Sequence, residues 1–138
     1  MTILGDYIEN ASLYIELGGL NALEYDYLDV YGNVSLGASS LLDLDFFGTF
    51  NEAGLTDGDS FNIIHYTGTL TGQFGGVDYT GVPHASGAWS LDYGYDLADG
   101  SNSIRLAYAH TSVPEPSTML LFGSGLGWLW FIRRRFKK

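Results

Sequence analysis

The chain has no cysteine, which excludes disulfides, thiolate metal sites and cysteine nucleophiles. It is also poor in positive charge: six Lys and Arg stand against sixteen Asp and Glu in 138 residues, a net charge of −10. The few cations are unevenly placed. Five of them (Arg133, Arg134, Arg135, Lys137, Lys138) occupy the last six residues, and the sixth is Arg105. Residues 1–112 therefore carry fifteen acidic side chains and one basic one, whereas 113–138 carry one acidic and five basic. A body of that charge repels nucleic acid, whose binding depends on neutralising phosphates. No HExxH, P-loop, GxSxG or GxGxxG fingerprint is present, and no window has a convincing amphipathic helical period. No cofactor is predicted.

What the chain does contain falls into two segments suited to two environments. From Met119 to Ile132 there are fourteen residues without a charge. As a helix they span about 21 Å, short of the roughly 30 Å of a hydrocarbon core. Trp128, Trp130 and Phe131 supply interfacial aromatics, and the arginines can snorkel to lengthen the anchor. The segment is apolar all round, whereas a helix docked on the body would keep a polar stripe. A single membrane-spanning helix is therefore predicted. Arg133, Arg134, Arg135, Lys137 and Lys138 act as a basic stop, which by the positive-inside rule places them inside and the acidic body outside. Gly123 and Gly127 have the small-xxx-small spacing that lets membrane helices pack closely, and simple tolerance of Gly in a span accounts for them too. An outside body needs an export signal, yet the stretch from Met1 to Asp6 has neither a basic n-region nor an apolar h-region. The body is accordingly expected to be N-terminally truncated.

Val113, Pro114, Glu115, Pro116 and Ser117, followed by the apolar span and the arginine cluster, resemble the PEP-CTERM sorting signal of exported proteins in Gram-negative bacteria. The resemblance implies recognition by an exosortase, a membrane cysteine protease-transpeptidase, at or near Pro114-Glu115-Pro116. The precursor would sit transiently in the inner membrane, and the mature body would be released or held at the cell surface. Many members of that family belong to exopolysaccharide producers, which makes extracellular polysaccharide a candidate partner. The prolines agree with this: they keep the segment extended, as a protease substrate must be.

The body, 1–112, reads as stacked short strands and is predicted to be all-β. Its 19 glycines and 10 tyrosines suit turns and strands. Period-2 alternation recurs in Leu42-Asp43-Leu44-Asp45-Phe46, Trp89-Ser90-Leu91-Asp92-Tyr93 and Ile104-Arg105-Leu106-Ala107-Tyr108. Further strands are expected over 12–17, 27–31, 33–36 and 60–66. Turn signals separate them at Gly18-Gly19, Gly32-Asn33, Asp57-Gly58-Asp59, Gly75-Gly76, Gly87 and Asp99-Gly100. This spacing suits either a β-sandwich or the coils of a parallel β-helix. The stretches IELGG (15–19), YDYLDVYGNVSLG (25–37), LLDLDFF (41–47) and GDSFNIIHYTGTLTGQF (58–74) are similar to the end of autotransporter-type passengers. Covering roughly 11–108, that resemblance implies a right-handed parallel β-helix segment or its C-terminal cap.

Chemistry-bearing residues are sparse. His65, His84 and His110 lack metal spacing, and His65 in the strand FNIIHYT could face either surface. Asp43 and Asp45 on one strand, or Asp57 and Asp59 in a turn, read as solvated charges before they read as an acid–base pair. Asp57, Asp59, Asp96 and Asp99 are weak calcium candidates, since Phe61 stands where an EF-hand would need a ligand. Thr67, Thr69 and Thr71 alternate and could line one face. Together these features predict a non-enzymatic, exported surface or matrix protein. The alternative is a carbohydrate-binding or carbohydrate-active protein, which would need a groove with clustered charges and aromatics.

Overall fold

A computed structural model of the chain describes residues 1–82 and 87–110. The tail segment 113–138, with its motif, apolar span and basic end, lies outside the described residues, as does His84. Among the described residues no helix is long and apolar enough to cross a membrane.

The described chain is mostly β, arranged in three sheets, and its helical content is one 3-10 turn at Glu52–Gly54. It visits the sheets in a fixed order. Strands β1 (Thr2–Ile3), β2 (Tyr7–Glu9) and β3 (Ser12–Leu17) each start a different sheet. β4 (Leu28–Val30), β5 (Val34–Leu36) and β6 (Leu41–Phe46) then pair with them in parallel, one on each. β7 (Ser60–Tyr66), β8 (Leu70–Thr71) and β9 (Gly76–Gly81) repeat the circuit, again in parallel. The path ends in an antiparallel hairpin, β10 (Gly87–Asp96) and β11 (Asn102–His110), with β11 lying antiparallel against β7. The first sheet thus has the order β1-β4-β7-β11-β10 and is mixed; the other two are parallel.

Alternation builds the core. Ile15 and Leu17, Leu28 and Val30, Val34 and Leu36, and Leu42 and Leu44 all point inward and are at most 5% exposed. The hairpin adds Ile104, Leu106 and Tyr108. On β7 the alternation breaks: Phe61, Ile63, Ile64 and Tyr66 are all buried, and the register against β11 shifts between Ile104 and Arg105. Such a bulge reverses the phase of the strand beyond it. Its consequence is that His65 points outward.

The strands expected over 12–17, 27–31, 33–36, 42–46, 60–66, 89–93 and 104–108 are present, with small shifts of boundary. β1, β2, β8 and β9 were not expected. Gly76 and Gly87 open strands rather than marking turns. Thr67, Thr69 and Thr71 do not share one strand: Thr71 lies in β8, and Thr67 and Thr69 belong to the connection before it.

Corners are built from equivalent residues on successive circuits. Asp6, Asn33 and Thr69 stand immediately before β2, β5 and β8. Asn33 donates through its backbone N and Nδ2 to Asp6 Oδ1 at 2.8 and 3.0 Å, and its Oδ1 accepts from the N and Oγ1 of Thr69, both at 2.9 Å. A glycine precedes each member (Gly5, Gly32, Gly68), and a Cβ at Gly32 or Gly68 would meet the backbone of the circuit before it at 2.5–2.7 Å.

Candidate functional site

Two places in the described body gather functional groups. The first is on the outer face of the first sheet. The parallel register sets Asp29 of β4 beside His65 of β7, and the β7 bulge turns His65 toward it. His65 Nδ1 lies 2.6 Å from Asp29 Oδ1, and Nε2 lies 2.5 Å from Ser101 Oγ, at the entry to β11. Ser101 Oγ in turn donates to Asp99 Oδ1 in a short hydrogen bond, and the Ser101 amide donates to the same oxygen at 3.1 Å. The hydroxyl and amide of Ser101, with a smaller contribution from His65, hold the Asp99 carboxyl below its usual range. His65 and Asp29 side chains are 23% and 19% exposed, and Ser101 is 9% exposed.

Asp29, His65 and Ser101 have the residue types and atom order of an orienter, a base and a nucleophile. Proton bookkeeping separates them from that role. A hydroxyl carries one hydrogen, and Asp99 takes it, so Ser101 cannot pass a proton to Nε2 while that bond stands. A cleft elsewhere on the body is lined by other residues. What the arrangement can do as it stands is tie three separate stretches of chain together.

The second place is that cleft, of about 370 Å³, between the loop after β3 and the end of β6. Glu16, Glu24 and Asp26 line it together with Tyr25, Leu23, Gly18 and Phe47. The loop is held against β3 by Gly18 N to Glu24 O at 2.7 Å and Asp26 N to Glu16 O at 2.9 Å. Leu23 and Phe47 are left 94% and 60% exposed at its rim. Asp26 also accepts from the Glu16 amide at 3.2 Å, and Glu24 from the amide and side chain of Asn21 at 3.2 and 2.8 Å.

The carboxylates singled out from the sequence serve local structure. Asp59 Oδ2 accepts from the N and Oγ1 of Thr56 at 2.6 and 3.0 Å, and Asp57 Oδ1 from the His110 amide at 3.2 Å. Asp96 pairs with Asn102, so Asp96 and Asp99 sit at one end of β11 and Asp57 and Asp59 at the other. Among the described residues no three His, Asp or Glu side chains are grouped to hold a metal ion. Asp45 accepts the Tyr14 hydroxyl at 2.9 Å across two circuits. Arg105, the body's one cation, stacks 3.7 Å above the Tyr95 ring and lies 3.6 Å from Asp92. Sequence reading missed Asp29, Ser101 and the cleft residues. Asp29 and His65 had a usable signal, since each stands three residues before a corner glycine, Gly32 and Gly68; Ser101 had none.

Residues 112–135 match the PEP-CTERM protein-sorting motif. No curated protein matches the chain. The motif match supports an exported protein sorted by an exosortase.

Proposed function

We propose that the chain is a non-enzymatic cell-surface or extracellular-matrix protein delivered through its C-terminal signal. The observation that carries this is the sorting motif at 112–135 following directly on an acidic, strand-built body. In this reading Val113, Pro114, Glu115, Pro116 and Ser117 are the processing motif and Arg133 to Lys138 the cytoplasmic stop. The apolar span holds the precursor in the inner membrane until exosortase removes it. The body is a short right-handed parallel β-helix: three circuits visit three parallel ladders in one order, and crossovers between parallel strands are right-handed in nearly all cases. The hairpin caps it. Likeness to autotransporter passengers rests on the quoted repeats alone. A non-enzymatic role agrees with Arg105 being committed to Tyr95 and Asp92, and with the Ser101 hydrogen being committed to Asp99.

The test is to express the full-length gene product in its native host with a tag inside the body, then fractionate and measure its mass. An exported protein ending within 113–117 is expected. Inner-membrane protein with Lys138 intact overturns exosortase processing.

A carbohydrate-binding reading has one observation in its favour, the aromatic and acidic cleft around Tyr25, Phe47, Glu16, Glu24 and Asp26. Retardation in gels containing the host's polysaccharide, lost in Phe47→Ala, would support it. Unretarded migration would remove it.

A further inference from the structure

His65 sits where three parts of the chain meet, and the hydrogens available there can be counted. Asp99 is held in its ionised form by Ser101, so it only accepts, and the single hydrogen of Ser101 Oγ goes to it. His65 Nε2, 2.5 Å from that same Oγ, must then be a donor. Nδ1, 2.6 Å from the Asp29 carboxylate, must be a donor as well. An imidazole donates from both nitrogens only when it carries two hydrogens. Remove one, and one of the two contacts becomes lone pair against lone pair at a site little exposed to water.

We propose that the Asp29–His65–Ser101–Asp99 chain is a proton-operated latch that fastens the turn of the β10–β11 hairpin to the stacked circuits. Protonated, His65 bridges β4 to the hairpin turn. Deprotonated, it keeps one of its two bonds, and the turn around 97–101 loses a tether. The opposite end of the hairpin is held by backbone bonds that do not titrate, Gly58 N to Tyr108 O at 3.0 Å and Tyr108 N to Asp59 O at 2.9 Å. Opening is therefore local to the turn. The charged groups facing His65 are Asp29 from β4 and Asp99 from the turn; β11 brings only the neutral Ser101 and Ser103.

The sign follows directly. Gaining the second imidazole hydrogen closes the latch and losing it leaves one bond, so the turn is held more tightly in acid than in base. Hydrogen exchange of the full chain, corrected for the intrinsic pH dependence of amide exchange, reads it. Protection at Ser101, Asn102 and Ser103 is expected to fall roughly threefold to tenfold from pH 5.5 to 8, the value of about one net hydrogen bond, while Phe61 to Ile64 stay unchanged. His65→Gln should abolish the change. Asp99→Ala frees the Ser101 hydrogen to reach a neutral Nε2, so protection should become nearly independent of pH. His110→Gln, at the far end of the hairpin, should leave the wild-type response in place. Flat protection in the wild type, or an undiminished response in His65→Gln or Asp99→Ala, overturns the latch.

Discussion

Phe61 is fully buried, and its ring joins elements far apart in sequence. Tyr25, from the loop after β3, meets it edge-on with centroids 5.2 Å apart; Phe50, after β6, does so at 6.4 Å. Trp89 of β10 lies tilted against it at 6.1 Å and in turn meets Tyr108 at 5.0 Å. Aromatic pairs of this kind add to the burial itself. Phe61→Ala is expected to lower unfolding free energy by about 3–5 kcal/mol, read as a drop in urea midpoint with little change in slope. At this scale legibility was uneven. Phe61 lay inside an expected strand, 60–66, whose length was readable although its buried side was not. The direction of His65 was not readable, because it depends on a bulge that shows only in the pairing with a strand forty residues further along.

Elements show the same division. β3, β6, β7, β10 and β11 are long enough for alternation to reveal them, while β1 and β8 have two residues each and β9 begins and ends in glycine. Coils were expected as one of two architectures, but the corner residues that align them escaped sequence reading because their repeat is unequal: Asp6 and Asn33 are 27 residues apart, Asn33 and Thr69 are 36. Loops of different length, including the one that forms the cleft and the one that carries Phe50, absorb the difference. The signal was present in Gly5-Asp6, Gly32-Asn33 and Gly68-Thr69, a glycine followed by a short polar residue before each corner strand. At the other end of β8, Gly72 has φ +79, and a Cβ there would lie 2.1 Å from the Leu36 carbonyl oxygen. Strain and collision act together, so Gly72→Ala should cost about 2 kcal/mol or more and loosen β8 from β5. A thermal melt, with amide exchange at Val34 and Leu70, would show it; an unchanged midpoint would mean that the circuits are not packed this closely.

Over the whole molecule, ionisable groups bound a window of stability. Asp6, Asp78 and Asp99 lie below the ordinary value of 3.8, each chiefly because backbone or side-chain donors in its own corner or turn bond the carboxylate. Their contribution is complete above about pH 4 and disappears as pH falls below it. Tyr14 is pushed up to about 12, mainly by its bond to Asp45, and burial raises Tyr7, Tyr66, Tyr79 and Tyr93 above the ordinary 10.0. Those groups favour folding while neutral, so their contribution is complete below about pH 10 and is lost above it. Thermal midpoints followed by circular dichroism should be highest between about pH 4 and 10 and fall on both sides. A midpoint that climbs below pH 4 would contradict the carboxylate assignments. The parallel ladders have a further consequence, for time rather than strength. Strands joined across 27 or 36 residues must find each other by diffusion before any contact rewards the search, and the hairpin alone pairs neighbours in sequence. The molecule should therefore fold slowly for its size and from its far end, with β10 and β11 in place before the circuits close behind them.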